Sequence, residues 1–145
     1  MTFFVKESFG FSLSQVIRAN YHRMHMLLGQ LGLYPGQPPI LFLLWQTDGR
    51  TQKELGERMY LRPATITVML QRMEKAGLIE RRADAEDLRV SRVYLTDQGR
   101  RLQPEVEAVL QTLDQESLQG FSTHEKDLLM GFLNRIQKNL ASKDI

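Results

Sequence analysis

The stretch from residue 61 to residue 82 constrains the fold of this chain more than any other part of it. Its apolar side chains recur at steps of three and four residues, which predicts a helix with one buried face. The side chains on that face are Ile66, Met69, Leu70, Met73 and Ala76. Pro63 fits the first turn, where its missing N–H costs nothing, and Gly77 supplies the left-handed residue that commonly ends a helix. The stretch therefore predicts an amphipathic helix that stops sharply before a basic strand.

The other face of this helix is small or polar. Its side chains are Ala64, Thr65, Thr67, Val68, Gln71, Arg72 and Lys75. Hydroxyl, amide, methyl and cationic groups of this kind fit the major groove of DNA, where they contact base edges and phosphates. This face is typical of the recognition helix of a helix-turn-helix.

The elements before this helix complete such a motif. Thr51 and Glu54 form a capping box, which begins a short helix, and residues 60–62 are left as the turn. Further upstream, apolar spacing predicts a helix over residues 12–31 and a short buried helix over residues 40–46. A stretch rich in Gly and Pro separates these two helices.

The elements after the recognition helix are a hairpin and two helices. Residues 79–83 and 91–95 can pair as antiparallel strands. Thr96 is placed as the N-cap of a long helix that reaches about residue 118 and is kinked near Pro104. A second capping box at Ser122 opens a last helix with one apolar side.

This order of elements predicts a mainly α protein with a small β-hairpin wing, that is, an α+β winged helix-turn-helix with N- and C-terminal dimerisation helices. We expect residues 36–101 to form the DNA-binding domain, and residues 1–35 and 102–145 to form a helical dimerisation region. The apolar stripes of the terminal helices would be exposed on an isolated winged-helix core. Packing against a second copy covers them, and the resulting homodimer presents two recognition helices to successive major grooves of a pseudo-palindromic operator. The alternative is that these helices fold back onto their own core.

The tip of the hairpin carries an Asp and an Arg in close sequence. A guanidinium at Arg89 can enter the narrow minor groove of double-stranded DNA, where the negative potential is enhanced. Asp87 would not contact DNA but would hold Arg89 through a bidentate pair. The alternative is a surface ion pair of small energetic value. Arg81, Arg82 and Arg92 flank the hairpin and are expected to contact phosphates rather than bases.

Three segments resemble the MarR family of bacterial transcription regulators, and the resemblance covers roughly residues 10–140. Two of them are TQKELG at residues 51–56 and RMEKAGLIER at residues 72–81. The third is similar to the family's wing pattern, with matching positions at Asp87, Arg89, Leu95, Thr96 and Gly99. The chain departs from the family at Arg62, where a small hydroxyl residue usually caps the recognition helix, and this departure suggests a phosphate contact for Arg62.

The resemblance implies a sequence-specific DNA-binding transcriptional regulator, active as a dimeric repressor that a small aromatic effector releases. It also implies the roles given above to Arg89 and Asp87. Aromatic and Met residues at helical spacing are more often core, but four are candidates for lining an effector pocket: Tyr21, Met24, Met26 and Trp45. The alternative function is a winged-helix protein-interaction module without specific DNA binding. Loss of the basic and hydroxyl groups on helix and wing would indicate that alternative, and those groups are present.

The charge is unevenly distributed along the chain. Residues 50–101 hold 12 Lys and Arg against 8 Asp and Glu, an excess of four, whereas residues 102–145 hold 4 against 7. The basic excess coincides with the recognition helix and hairpin, as binding to phosphates requires. The net charge of +2 is by itself too small to indicate nucleic acid.

Several other classes of function are excluded by motif and composition. The chain contains no cysteine, so it has no disulfide, thiolate metal site or thiol redox sensor. It has no Gly-rich phosphate loop, nucleophile elbow or His-Glu-x-x-His motif, so we expect no enzyme and no cofactor. His22 and His25 lie on one predicted helix, but no further candidate ligand is close in sequence, so we expect no metal site.

No feature of the sequence points to a membrane. No apolar run approaches the ~20 residues of a membrane span. The first six residues lack the basic segment and long apolar stretch of a secretory signal. We therefore expect a cytoplasmic protein without a membrane partner.

Overall fold

The computed structural model describes residues 8–143. Its helices are α1 Phe9–Gly29, α2 Gln37–Gln46, α3 Gln52–Arg58, α4 Pro63–Lys75, α5 Asp97–Arg101, α6 Gln103–Ser117 and α7 Thr123–Ala141. Its strands are β1 Arg50–Thr51, β2 Ile79–Ala83 and β3 Ser91–Leu95. The N-terminal residues on which the absence of a secretory signal was judged lie outside the described residues, so that expectation stays a prediction.

The chain divides into two compact units, and the boundary lies within α6, between Gln111 and Thr112. The first unit holds the helix-turn-helix, the sheet, α1 and α2 around one core. Fully buried side chains of that core are Leu28, Ile40, Leu41, Leu44, Leu55, Ile66, Leu70, Met73, Ile79, Val93 and Val106. The second unit holds α7, which has no buried residue. Because Leu28 of α1 belongs to the core, α1 is anchored to the winged helix, and the expected domain boundaries stay a prediction.

The small sheet has three strands in the order β1-β3-β2. β2 and β3 pair antiparallel from Ile79↔Leu95 to Ala83↔Ser91, over the residues expected from the sequence. β1 places Arg50 opposite Val93, and the sequence did not reveal it. A strand of two residues shows no alternation, so only its pairing identifies it.

Both N-terminal helices start earlier than expected. The Ser8 side chain caps α1 by accepting the N–H of Phe11 at 3.1 Å. α2 begins at Gln37 because prolines are tolerated in the first turn of a helix, so the Pro-rich stretch opens α2 instead of only preceding it.

The long helix expected after the wing is two helices. α5 ends at Arg101, Leu102 is its C-cap, and Pro104 is the second residue of α6. Proline has no N–H to donate to the carbonyl of Arg100, and its ring would clash with that carbonyl in a continuous helix. The expected kink is therefore a break.

α4 matches its predicted limits, but its apolar face ends one position early. Ala76, expected to pack inward, is the exposed C-cap. Gly77, at φ +78°, turns the chain, and the buried Leu78 takes the inward position instead.

No helix between residues 8 and 143 is long and apolar enough to cross a membrane.

Candidate nucleic-acid interface

The outer face of α4 is open to solvent along its whole length. Ala64, Thr65, Val68, Gln71, Arg72 and Lys75 are all exposed. On the inner face, Ile66, Leu70 and Met73 are buried in the core. The core thus fixes the rotation of α4 about its axis, so that the predicted groove-facing side chains point outward.

Thr67 differs from its neighbours on this face because its hydroxyl is already hydrogen-bonded. Thr67 Oγ1 donates to the carbonyl of Pro63 at 2.8 Å and accepts from Gln52 Nε2 at 2.6 Å. Gln52 is the first residue of α3, so this contact ties the two helices of the helix-turn-helix together. Sequence reasoning did not single out Gln52, since no local pattern reveals a partner 15 residues away.

The N-terminus of α4 has no side-chain cap. Arg62 is the N-cap residue, at φ −68° and ψ 150°, and its side chain makes no capping hydrogen bond. Pro63 has no N–H, and within residues 8–143 no acceptor is recorded for the amides of Ala64 and Thr65. Uncapped amides at a helix N-terminus are suited to bind an anion such as a phosphate.

The wing tip presents one cation held by one carboxylate. Arg89 Nε and Nη2 donate to the two carboxylate oxygens of Asp87 at 3.1 and 3.3 Å, and the side chain of Arg89 is 91% exposed. The backbone N–H of Arg89 also donates to Asp87 Oδ1 at 3.1 Å. The bidentate pair expected from the sequence is therefore present, and it leaves the outer surface of the guanidinium free.

The base of the wing depends on Asp84, which the sequence analysis did not single out. Its Oδ2 accepts the backbone N–H groups of Glu86 and Asp87, each at 3.1 Å. Its Oδ1 accepts from Arg92 Nε, and Arg92 Nη1 donates to the carbonyl of Gly49 at 2.8 Å. Asp is a frequent turn-forming residue because its side chain bonds amides two residues on, which is the signal that would have identified it.

The three arginines that flank the hairpin are engaged within the chain. Arg92 is bonded as just described. Arg81 pairs with Glu74 of α4 at 3.0 Å, and its backbone N–H donates to the same carboxylate at 3.1 Å. Arg82 forms an ion pair with Glu80, and its Cζ lies 4.7 Å from the ring centroid of Tyr94. The phosphate contacts expected of them stay a prediction, and each would have to share or exchange its present partner.

These pairs shift the ionisation of the wing carboxylates. The hydrogen bond from Arg92 lowers the pKa of Asp84, and the same contact raises the pKa of Arg92. The hydrogen bond from Arg89 lowers the pKa of Asp87. The hydrogen bond from Arg81 lowers the pKa of Glu74. All three carboxylates are therefore ionised at neutral pH, and each offsets part of the basic charge around it.

An open cleft of 670 Å³ runs between α3, the start of α4 and the wing. It is lined by Gln52, Lys53, Pro63 and Arg89, among others. The cleft therefore joins the helix-turn-helix to the wing on one side of the first unit.

The residues proposed for other sites lie away from this cleft. Trp45 donates through Nε1 to the carbonyl of Gly99 at 3.1 Å and stands edge-on to Phe42, with ring centroids 5.1 Å apart. Tyr21 and Met26 are exposed on α1, whereas Met24 packs against the core. No group of three or more metal-ligating side chains occurs among residues 8–143.

A model of the MarR family matches residues 33–91, which include the whole helix-turn-helix and β2. The chain is 31% identical over 117 residues to the uncharacterised HTH-type transcriptional regulator YsmB of Bacillus subtilis (strain 168). That match covers 81% of this chain and 80% of YsmB.

Two further relatives are longer than the region they share with this chain. The organic hydroperoxide resistance transcriptional regulator of Bacillus subtilis (strain 168) is 42% identical over 73 residues, which are 50% of each protein. The HTH-type transcriptional regulator TtmR of Methylorubrum extorquens (strain PA1) is 31% identical over 110 residues, 76% of this chain and 55% of TtmR. The chain thus spans about half the length of these two relatives.

Solved structures of transcription regulators share the fold. A probable transcriptional regulator from Pseudomonas aeruginosa matches with a TM-score of 0.83 and 31% identity, over 91% of this chain and 98% of that one. Reduced AbfR bound to DNA matches with a TM-score of 0.71 and 26% identity, over 90% of each chain. The winged helix-turn-helix expected from the sequence is confirmed by these matches.

Proposed function

This chain belongs to the MarR family of transcriptional regulators, and we propose that it binds a specific double-stranded DNA operator as a homodimer. We propose further that it represses transcription until a small-molecule effector releases it. Because its proposed binding partner is genomic DNA, we propose that the protein acts in the cytoplasm.

One observation carries the DNA-binding proposal: the first unit exposes both the outer face of α4 and the guanidinium of the wing tip, and the start of α4 and Arg89 line the same cleft. Gln71, Arg72 and Lys75 are exposed on α4, and Arg89 projects from the wing. A recognition helix in the major groove with a wing arginine in the adjacent minor groove uses both sets of side chains. The related AbfR was solved bound to DNA, which supports this use of the fold.

The homodimer is supported by uncovered apolar side chains on both terminal helices. On α1, the exposed large apolar residues are Phe9, Val16, Ile17, Tyr21 and Met26. On α7, they are Leu128, Met130, Phe132, Leu133 and Leu140. Apolar surface on this scale marks an interface, and a two-fold dimer is the commonest assembly that covers it.

The effector is proposed to be small and aromatic, and its candidate contacts are Tyr21, Met24, Met26 and Trp45. An oxidant sensed through a thiol is not a candidate, because this chain contains no cysteine. The alternative function is a protein-interaction module without specific DNA binding. It fits less well because the amide of Gln71 and the cations of Arg72 and Lys75 are exposed on α4.

A mobility-shift assay on the DNA directly upstream of this protein's own reading frame tests the proposal. We expect a discrete complex that resists competition by a scrambled duplex of the same composition. If the dimer neutralises six to ten phosphates, its affinity should fall by about three to five decades when the salt concentration rises from 50 to 200 mM. Equal affinity for every duplex, or an affinity that does not respond to salt, would contradict it.

A further inference from the structure

Two consecutive helices of the first unit end in the same backbone motif. At the end of α4, the N–H of Gly77 donates to the carbonyl of Glu74 and that of Leu78 to Met73, both at 3.0 Å. At the end of α3, the N–H of Tyr60 donates to Glu57 at 3.2 Å, and that of Leu61 to Gly56 at 2.9 Å. Both patterns are Schellman caps, whose turning residue is left-handed and usually glycine.

Tyr60 occupies that position at φ +54° and is the only non-glycine residue with positive φ among residues 8–143. A bulky side chain is strained in this conformation, whereas Gly77 adopts it without strain. The ring gains no compensating burial, because Tyr60 is 96% exposed. Strain at an exposed aromatic residue therefore indicates a role outside folding.

The surroundings of Tyr60 indicate the kind of partner. Arg58 and Arg62 lie two residues to either side, both are exposed, and neither side chain makes a hydrogen bond or ion pair within the described residues. The uncapped N-terminus of α4 follows directly after Arg62. An exposed phenol between two free cations, beside unbonded amides, is complementary to a chain of phosphates and sugars.

We propose that Tyr60, Arg58 and Arg62 contact the DNA backbone beside the groove that α4 enters, which we name the turn contact. The Tyr60 hydroxyl donates to a phosphate oxygen, its ring packs against a deoxyribose, and the two guanidinium groups neutralise the adjoining phosphates. The turn contact rests on the proposed DNA binding and extends its footprint to the helix-turn-helix turn. Because phosphates and sugars are common to all duplexes, it contributes affinity but no sequence preference.

The test compares Tyr60→Gly, Tyr60→Asn and Tyr60→Phe with the unchanged chain. Thermal midpoint and affinity are measured, the latter by fluorescence anisotropy on the upstream duplex and on its scrambled form. Glycine and asparagine both tolerate the left-handed conformation, so both should raise the midpoint by a few degrees. Both should weaken binding to the two duplexes by the same factor, about two- to tenfold. Phenylalanine keeps the strain and the ring, so it should leave the midpoint unchanged and lose only the share of affinity that the hydroxyl contributes.

The cations are tested through the salt dependence of binding. Arg58→Ala should reduce the slope of log affinity against log salt by about 0.9 for each phosphate contact that is lost. Lys126→Ala removes an exposed cation of α7 from outside the basic segment and should leave the slope unchanged.

The outcomes separate this inference from the proposed function. If the unchanged chain binds neither duplex, the proposed DNA binding itself fails. If it binds the upstream duplex and Tyr60→Gly and Tyr60→Asn bind equally well, the turn contact is wrong, and the exposed ring serves a protein partner instead. A fall in thermal midpoint in both variants would also overturn the inference, because the ring would then be structural.

Discussion

At the wing tip, the side chain of Arg89 is held by Asp87, because Nε and Nη2 of Arg89 donate to the two carboxylate oxygens of Asp87. Arg89→Ala should weaken operator binding by about tenfold or more, the loss expected for one hydrogen bond between charged groups. Asp87→Ala should weaken it less, because the arginine is then only less restrained. Neither change creates a cavity, so sedimentation should stay as in the unchanged protein and the thermal midpoint should fall only slightly. A large fall in midpoint, with affinity restored on cooling, would show that the pair is structural.

Gln71 and Arg72 are exposed on α4 just over two turns after its start, where the proposed docking brings base edges within reach. Gln71→Ala and Arg72→Ala should each reduce the preference for the operator over a scrambled duplex by about 1–3 kcal/mol. Competition binding against single-base variants of the operator measures this preference. An equal loss on all duplexes would make both residues phosphate contacts and move base reading towards Ala64 and Thr65.

At the scale of the element, α4 lacks the side-chain cap that α3 has through Thr51 Oγ1, which accepts the N–H of Glu54 at 3.1 Å. Arg62→Ser would supply a cap to α4 and should raise the free energy of unfolding by about 1 kcal/mol. The same change should weaken DNA binding, since it removes a cation and occupies an amide suited to a phosphate. Denaturant unfolding and operator affinity are measured together. Arg62→Ala, which removes the cation without adding a cap, should lose affinity with no gain in stability.

The wing as an element depends on the carboxylate of Asp84. Asp84→Ala should speed hydrogen exchange at the amides of Glu86 and Asp87 and lower operator affinity. Asp84→Asn keeps a side-chain oxygen that accepts the amide hydrogens but loses the negative charge that pairs with Arg92. It should therefore retain more protection than Asp84→Ala. Exchange rates that stay unchanged in both variants would show that the loop does not need this side chain.

The pH dependence of the wing follows from the lowered pKa values of Asp84 and Asp87. A carboxyl whose pKa is lower in the folded state contributes stability that is fully present above its ordinary pKa of 3.8. That contribution is lost as pH falls through the lowered value. Amide protection in the wing should therefore be constant between pH 7 and about pH 5 and fall only at pH values below the ordinary pKa. Loss of protection already between pH 6 and pH 5 would contradict these pairs.

At the scale of the whole molecule, the exposed apolar side chains of α7 predict that it needs a partner. Phe132→Glu places a charge in the proposed dimer interface and should shift sedimentation towards a monomer while lowering operator affinity. Because Phe132 is 52% exposed in the single chain, the fold of the monomer should survive, as measured by circular dichroism. Gln137→Glu adds the same charge at an exposed polar position of α7 and serves as the control. A dimer that persists in Phe132→Glu would place the interface elsewhere.

Elements whose signals are local could be predicted from the amino-acid sequence. The three- and four-residue spacing of apolar side chains defined α4, Gly77 defined its end, and the limits of β2 and β3 followed from the flanking turns. The Asp87 and Arg89 pair was predictable because the two residues are neighbours in one loop. The MarR family assignment, confirmed by the comparisons, rested on motifs that are likewise short and contiguous.

Features that depend on partners far along the chain became visible only in the folded structure. β1 exists because Arg50 pairs with Val93, and the Thr67 hydroxyl is engaged because α3 brings Gln52 to it. Arg92 is directed to the carbonyl of Gly49, 43 residues away, through a hydrogen bond that no spacing rule contains. Periodicity reports which face of an element is buried, but a hydrogen bond across elements depends on their packing. Which exposed polar groups remain free to bind DNA is therefore a property of the folded chain.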